Sequence, residues 1–226
     1  LEASQAALAI TAIDTAAQYA EHALTWAAAI PDGWRTAYQL NLEGHELAAR
    51  MALYTADYER LAQLSKTILQ EAQTPIDKAG VYKSCITAAT LQGDYDRALD
   101  LLQGALAELG VRIPRRPTTG HMLAAYGRVR LALRSHSATA LQALPTTADR
   151  TWWVIGDLIT SAYMAMQWSG QRLLMAYVSL QGVHWSVQHG HTPLSVIAYA
   201  LYSVMLTNRF GDPAAGAQYA RLATGL

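Results

Sequence analysis

Apolar residues recur at three- and four-residue intervals from one end of the chain to the other, and the strict two-residue alternation of a half-buried strand is absent. Short punctuation interrupts this helical rhythm. Pro31-Asp32-Gly33 separates a helix predicted to end near Ala29 from one beginning near Trp34, with Asp32 as its N-cap. Asp57 divides a run ending at Thr55 from a helix that continues through Gln73, and Thr74-Pro75 predicts the next helix with proline in its first turn. Gly93-Asp94 closes that helix and caps another ending at Gly110. Turns this short force successive helices to lie antiparallel. The fold class they predict is all-α, built of about 11–12 helices in antiparallel pairs.

The clearest repeat unit runs from Ala79 to Leu109, with LQGDYDRALDLLQGALAEL as its second half. It resembles the tetratricopeptide repeat, in which a Gly-Asp-Tyr-like turn is followed by two small residues at helical spacing. Here the matching positions are Gly93, Tyr95, Ala98 and Ala105. The aromatic closes the turn, and the small residues let neighbouring helices approach. A degenerate copy lies 37 residues upstream at Ala56-Asp57-Tyr58, with Leu61 and Ile68 in the small positions. Another begins at Gly211-Asp212-Pro213, followed by Gly216 and Ala223, and a weaker trace starts at Asp14. Offsets of about 34–40 residues are the mark of helical solenoids, so the resemblance implies a tetratricopeptide-like solenoid of stacked helix pairs.

The period breaks between Val111 and Ala148. VRIPRRPTT holds two prolines and three arginines and predicts a linker or corner. A helix from about Gly120 to Ser135 follows, then a Ser/Thr/Ala-rich connection to Leu144-Pro145. The expected organisation is a repeat block at 1–110, an irregular Pro/Arg-rich connection at 111–148, and a second helical block at 149–226.

Three longer stretches carry a broader resemblance: YQLNLEGHELAARMALYTADYERLAQLSKTILQEA, IDKAGVYKSCITAATLQGDYDRALDLLQGALAELGVRIP and SVQHGHTPLSVIAYALYSVMLTNRFGDPAAGAQYARLA. They look like the helical region of large bacterial multidomain signalling kinases. In that family a Ser/Thr-kinase-like domain and an AAA-type ATPase domain precede the helical region, and GAF and histidine-kinase or similar output domains follow it. The resemblance implies a relay segment of an ATP-dependent kinase, with no catalytic or nucleotide-binding motif of its own, and the single cysteine without an apolar leader makes a reducing, cytoplasmic setting the expectation. Its partners would be a protein segment or neighbouring domains of the same polypeptide, or a second copy. A passive spacer between catalytic domains is the alternative.

Charge and chemistry adjust this picture only slightly. The net charge is zero, but residues 1–110 carry 14 acidic and 7 basic side chains, whereas 111–226 carry 3 and 10. Such a split can steer or dock a charged partner. Lys78, Tyr82 and Lys83 on one helix are a candidate inner surface. Arg112, Arg115 and Arg116, with Arg130 and Arg134 one turn apart on the next helix, are a candidate basic patch. Nucleic-acid binding would want more basic charge and a recognisable motif, and none is predicted. The phosphate-loop, dinucleotide and nucleophile-elbow motifs are absent, so no cofactor or catalytic residue is expected. His184, His189 and His191 cluster without a further ligand at zinc spacing and are expected to be structural. Cys85, the single cysteine, sits on an amphipathic helix and is expected to pack as a small apolar group. The longest apolar stretches are interrupted or short, so no membrane insertion is expected.

Overall fold

The computed structural model describes residues 13–226, except for the side chains of Asp14 and Ala138. The regular elements are helices: α1 Ile13–Ala28, α2 Gly33–Thr36, α3 Tyr38–Tyr54, α4 Tyr58–Glu71, α5 Ala79–Leu91, α6 Tyr95–Glu108, α7 Thr119–Ala132, α8 Ala138–Gln142, α9 Arg150–Ser161, α10 Tyr163–Trp168, α11 Arg172–His189, α12 Pro193–Phe210 and α13 Pro213–Thr224. A 3-10 turn, Leu133–Ser135, extends α7. Among the described residues, extended pairing is confined to an isolated parallel bridge between Thr146 and His191. None of these helices is long and apolar enough to cross a membrane. The chain divides into two compact units, residues 1–101 and 102–226, and the division falls inside α6.

In the first unit α3 is the hub, packing against α1, α2, α4 and α5. Its Leu47, Ala48, Met51 and Ala52 join Ala16 and Ala20 of α1, Leu61, Leu64 and Ile68 of α4, and Val81 and Ala88 of α5 in one apolar core. The alanines are what bring the helices close, since a methyl group leaves little between two backbones. Gly80 continues this on α5: a Cβ there would lie 2.6 Å from a carboxylate oxygen of Glu46 on α3.

One turn geometry recurs. After α3, Ala56 takes a left-handed φ of 56°, the Asp57 amide donates to the Ala52 carbonyl, and the Asp57 carboxylate accepts from the Arg60 amide. After α5, Gly93 has φ 77°, the Asp94 amide donates to Ala89, and the Asp94 carboxylate accepts from Arg97. After α12, Gly211 is again left-handed with φ 66° and the Asp212 carboxylate accepts from the Ala215 amide, but the Asp212 amide reaches one residue further back, to Leu206. After α3 and α5 a left-handed residue ends the helix by a six-to-one bond, and at all three junctions the aspartate then caps the next helix. The trace at Asp14 falls on the first turn of α1, and the side chain of Asp14 lies outside the described residues.

Several boundaries differ from the expectation. Asp32 makes no side-chain capping bond, because it occupies the left-handed region with φ 50°, whereas a capping side chain needs extended backbone. Pro75 does not open α5, which begins at Ala79. Thr74 and Asp77 instead close a turn through reciprocal side-chain bonds to each other's amides. The Tyr38 hydroxyl locks that turn to α3, donating to Asp77 at 2.8 Å and accepting from the Gln73 amide at 2.9 Å. The Ser/Thr/Ala-rich connection contains α8, capped by the Ser137 hydroxyl, and the apolar run 151–168 breaks at Ala162 into α9 and α10.

In the second unit α12 lies against α9, α11 and α13, while α7 packs on α11. Gly182 permits the close crossing of α11 and α12: a Cβ there would lie 2.8 Å from the Ala198 Cβ. Tyr199 and Tyr202 are among the largest fully buried side chains, and Tyr219 of α13 packs against both rings.

Candidate functional site

The first unit carries a groove of about 600 Å3 with walls from α1, α3 and α4. Periodicity places its residues: Glu21 and Thr25 project from one face of α1, and Arg60, Gln63 and Thr67 from one face of α4. Arg60 and Glu21 join the walls in a two-point ion pair, with Nε at 3.0 Å from Oε1 and an Nη at 2.7 Å from Oε2. Both side chains remain partly exposed, so this pair adds only about 0–1 kcal/mol and mainly fixes geometry.

His45 and Trp34 finish one end of the groove, with ring centroids 4.8 Å apart. The Nδ1 of His45 lies 2.7 Å from the Asn41 carbonyl, so that nitrogen carries the hydrogen and Nε2 is left as an acceptor. Burial, with a smaller contribution from Arg60, pushes the imidazole below its ordinary value and keeps it neutral near pH 7. The groove thus offers an acceptor nitrogen, amide and hydroxyl groups, an aromatic face and a fixed charge pair. That set suits recognition of an uncharged or zwitterionic polar segment. It holds no nucleophile paired with a base.

The surface expected on α5 lies elsewhere. Lys78 and Tyr82 are half-buried and Lys83 is exposed, and none of the three lines this groove. Of the expected basic residues, Arg112 and Arg116 are exposed and Arg115 half-buried in the non-helical segment before α7. Arg130 and Arg134 do come together, on the rim of a second pocket described below. The turn residues occupy helix junctions: Tyr58 and Tyr95 are half-buried, Ala98 and Ala105 are buried, and Gly93 and Gly211 hold left-handed backbone. The groove residues Glu21, Trp34, His45 and Gln63 carry no motif, and only the 39-residue separation of Glu21 and Arg60 closed by folding brings them into one site.

The histidine cluster is dispersed among separate contacts. His189 stacks on Trp152 at 3.9 Å, and His191 is buried with Nε2 at 2.9 Å from the Leu141 carbonyl. The Nδ1 of His184 is buried without a hydrogen-bond partner. Among the described residues no three His, Cys, Asp or Glu side chains are placed to hold a metal ion. Burial pushes the Cys85 thiol up, against a hydrogen bond with Ser65 at 3.1 Å, so the reactive thiolate is disfavoured.

The described residues thus form an all-helical, repeat-like fold carrying an open polar groove. No family model matches the chain, and neither does any curated protein or solved structure.

Proposed function

We propose that this chain is a tetratricopeptide-like interaction module that relays signals within a larger bacterial signal-transduction ATPase or kinase by binding a protein segment of the same polypeptide. The observation that carries this reading is the groove of about 600 Å3 between α1, α3 and α4, lined by the partly exposed Arg60–Glu21 pair and the exposed Gln63. The turns at Ala56, Gly93 and Gly211 support a repeat origin, since each places a left-handed residue before an aspartate that caps the next helix. Recognition of an extended or helical peptide in such a groove relies on shape and a few polar anchors.

The test is size-exclusion chromatography with light scattering on the full chain, alone and mixed with the regions that flank it in its parent polypeptide. Wild type is expected to co-migrate with a flanking region, and Gln63→Trp, which fills the groove from an exposed helix position, to elute alone with unchanged helicity. Reversing Lys78 and Lys83 to Glu is expected to leave that complex intact, because neither lysine lines the groove. Separate elution of wild type at every salt concentration would rule out the relay reading in favour of a passive spacer.

A further inference from the structure

The second unit holds a pocket whose chemistry is unlike that of the groove. About 230 Å3 in volume, it is bounded by Arg130 at the end of α7, Arg134 in the 3-10 turn, Tyr202 and Leu206 of α12, and Gln218 and Tyr219 of α13. Arg130 and Arg134 lie one helical turn apart, so both guanidinium groups reach the same opening. Both arginines are exposed, and neither has an ion-pair partner among the described residues. Behind them, Tyr202 is buried and Tyr219 half-buried, with the Arg130 guanidinium beside both phenols. Burial pushes both phenols up, so their hydroxyls stay protonated and can donate.

No carboxylate lines the pocket. Asp212, the acidic residue nearest in sequence, is committed to capping α13 through the Ala215 amide. The wider setting has the same sign: all ten cationic residues of 111–226 are arginines, against three carboxylates. Arginine, unlike lysine, presents paired donors in the fork that fits a carboxylate or phosphate.

We infer that the pocket between Arg130, Arg134, Tyr202 and Tyr219 is a binding site for a single phosphate group, free or as a monoester on a short stem. Two guanidinium charges match a dianion, two phenolic hydroxyls and the Gln218 amide can complete its donor shell, and Leu133, Leu206 and Ala215 leave an apolar wall for a stem. At about 230 Å3 the pocket admits one oxyanion with a few attached atoms, and a nucleotide is too large for it. The site stands independently of the groove, which belongs to the other unit.

The test is calorimetric titration of the full chain with inorganic phosphate, with N-acetyl-phosphoserine amide, and with chloride at matched ionic strength. Phosphate is expected to bind saturably where chloride does not, and tighter binding of the phosphoserine derivative would assign the site to monoesters rather than the free ion. Arg130→Gln with Arg134→Gln should weaken binding by roughly tenfold or more, as expected for loss of charge-assisted hydrogen bonds. Tyr219→Phe, which keeps the ring and removes one donor, should weaken it by a smaller factor, and Arg150→Gln, on a different helix of the same unit, should change nothing. If the double variant loses helicity, Arg134→Lys supplies the comparison, because it keeps the charge and removes the fork. Equal responses to phosphate and chloride, or equal affinities of wild type and an arginine variant that folds, would overturn the assignment.

Discussion

Ala56 is the residue at which this chain departs from its own repeat. Gly93 and Gly211 hold left-handed backbone that glycine adopts freely, whereas Ala56 holds φ 56° with a side chain. The left-handed region costs a Cβ-bearing residue about 1–2 kcal/mol, so Ala56→Gly should stabilise the first unit by up to about 1 kcal/mol after glycine's extra chain entropy is deducted. Gly93→Ala should destabilise by about 1 kcal/mol, although nothing lies within 4 Å of the added methyl, because the penalty is in the backbone rather than in a clash. Urea midpoints of the two variants, shifting in opposite directions, check both expectations. Cys85 gives a second test at this scale. Its raised thiol should react with a disulfide reagent at pH 8 far more slowly than free cysteine, and unfolding in urea should remove the difference. Fast reaction in the folded chain would contradict the half-buried, hydrogen-bonded placement of the thiol.

At the scale of helices, small residues set the spacing. Ala98 on α6 is completely buried, so Ala98→Trp should overpack its surroundings at a cost of about 1–3 kcal/mol or more. A thermal melt identical to that of wild type would contradict its position. Gly182 marks the tightest approach of α11 and α12, and Gly182→Val should cost at least as much as Ala98→Trp, since Ala198 and Leu194 already stand 2.8–3.0 Å from the missing Cβ. Tyr38 shows a different kind of control. Its hydroxyl ties the 73–77 turn to α3, and Tyr38→Phe should cost about 1 kcal/mol, read as a lower urea midpoint with unchanged helicity. The 3.6-residue period and the Gly-Asp turns made the helices readable in the sequence. The cap at Asp32 was misleading because its backbone is left-handed, and the start at Pro75 because Thr74 and Asp77 close a turn tied to Tyr38 across 39 residues.

Over the whole molecule, burial of histidines couples stability to pH. His45 in the first unit and His184, His189 and His191 in the second are all pushed below their ordinary value of 6.5, chiefly by burial. Each binds a proton more weakly folded than unfolded. Their contribution is therefore complete above the unfolded value and is lost as pH falls through 6.5 toward the lower folded values. The urea midpoint should accordingly drop between about pH 7.5 and about pH 5.5. His191→Gln, whose amide can still donate to the Leu141 carbonyl without titrating, should flatten part of that slope. An unchanged slope would show that His191 is not held neutral by its surroundings.

The sequence by itself determined that the chain is helical, because apolar spacing and turn chemistry act over a few residues. Within its helices Ala98 and Ala105 are buried and Cys85 is half-buried. Tertiary structure alone decided where the sites lie. The groove exists because folding brings Glu21 of α1 to Arg60 of α4 across the floor of α3, and the phosphate pocket exists because α13 returns Tyr219 to Arg130. Neither pairing leaves a trace in spacing, since the chain separation is set by helices whose crossing depends on side-chain volume at Gly182, Ala48 and their neighbours. The arginines were visible as a basic concentration, but only packing separated Arg130 and Arg134, which share a pocket with phenolic donors, from Arg112 and Arg116 on an open segment.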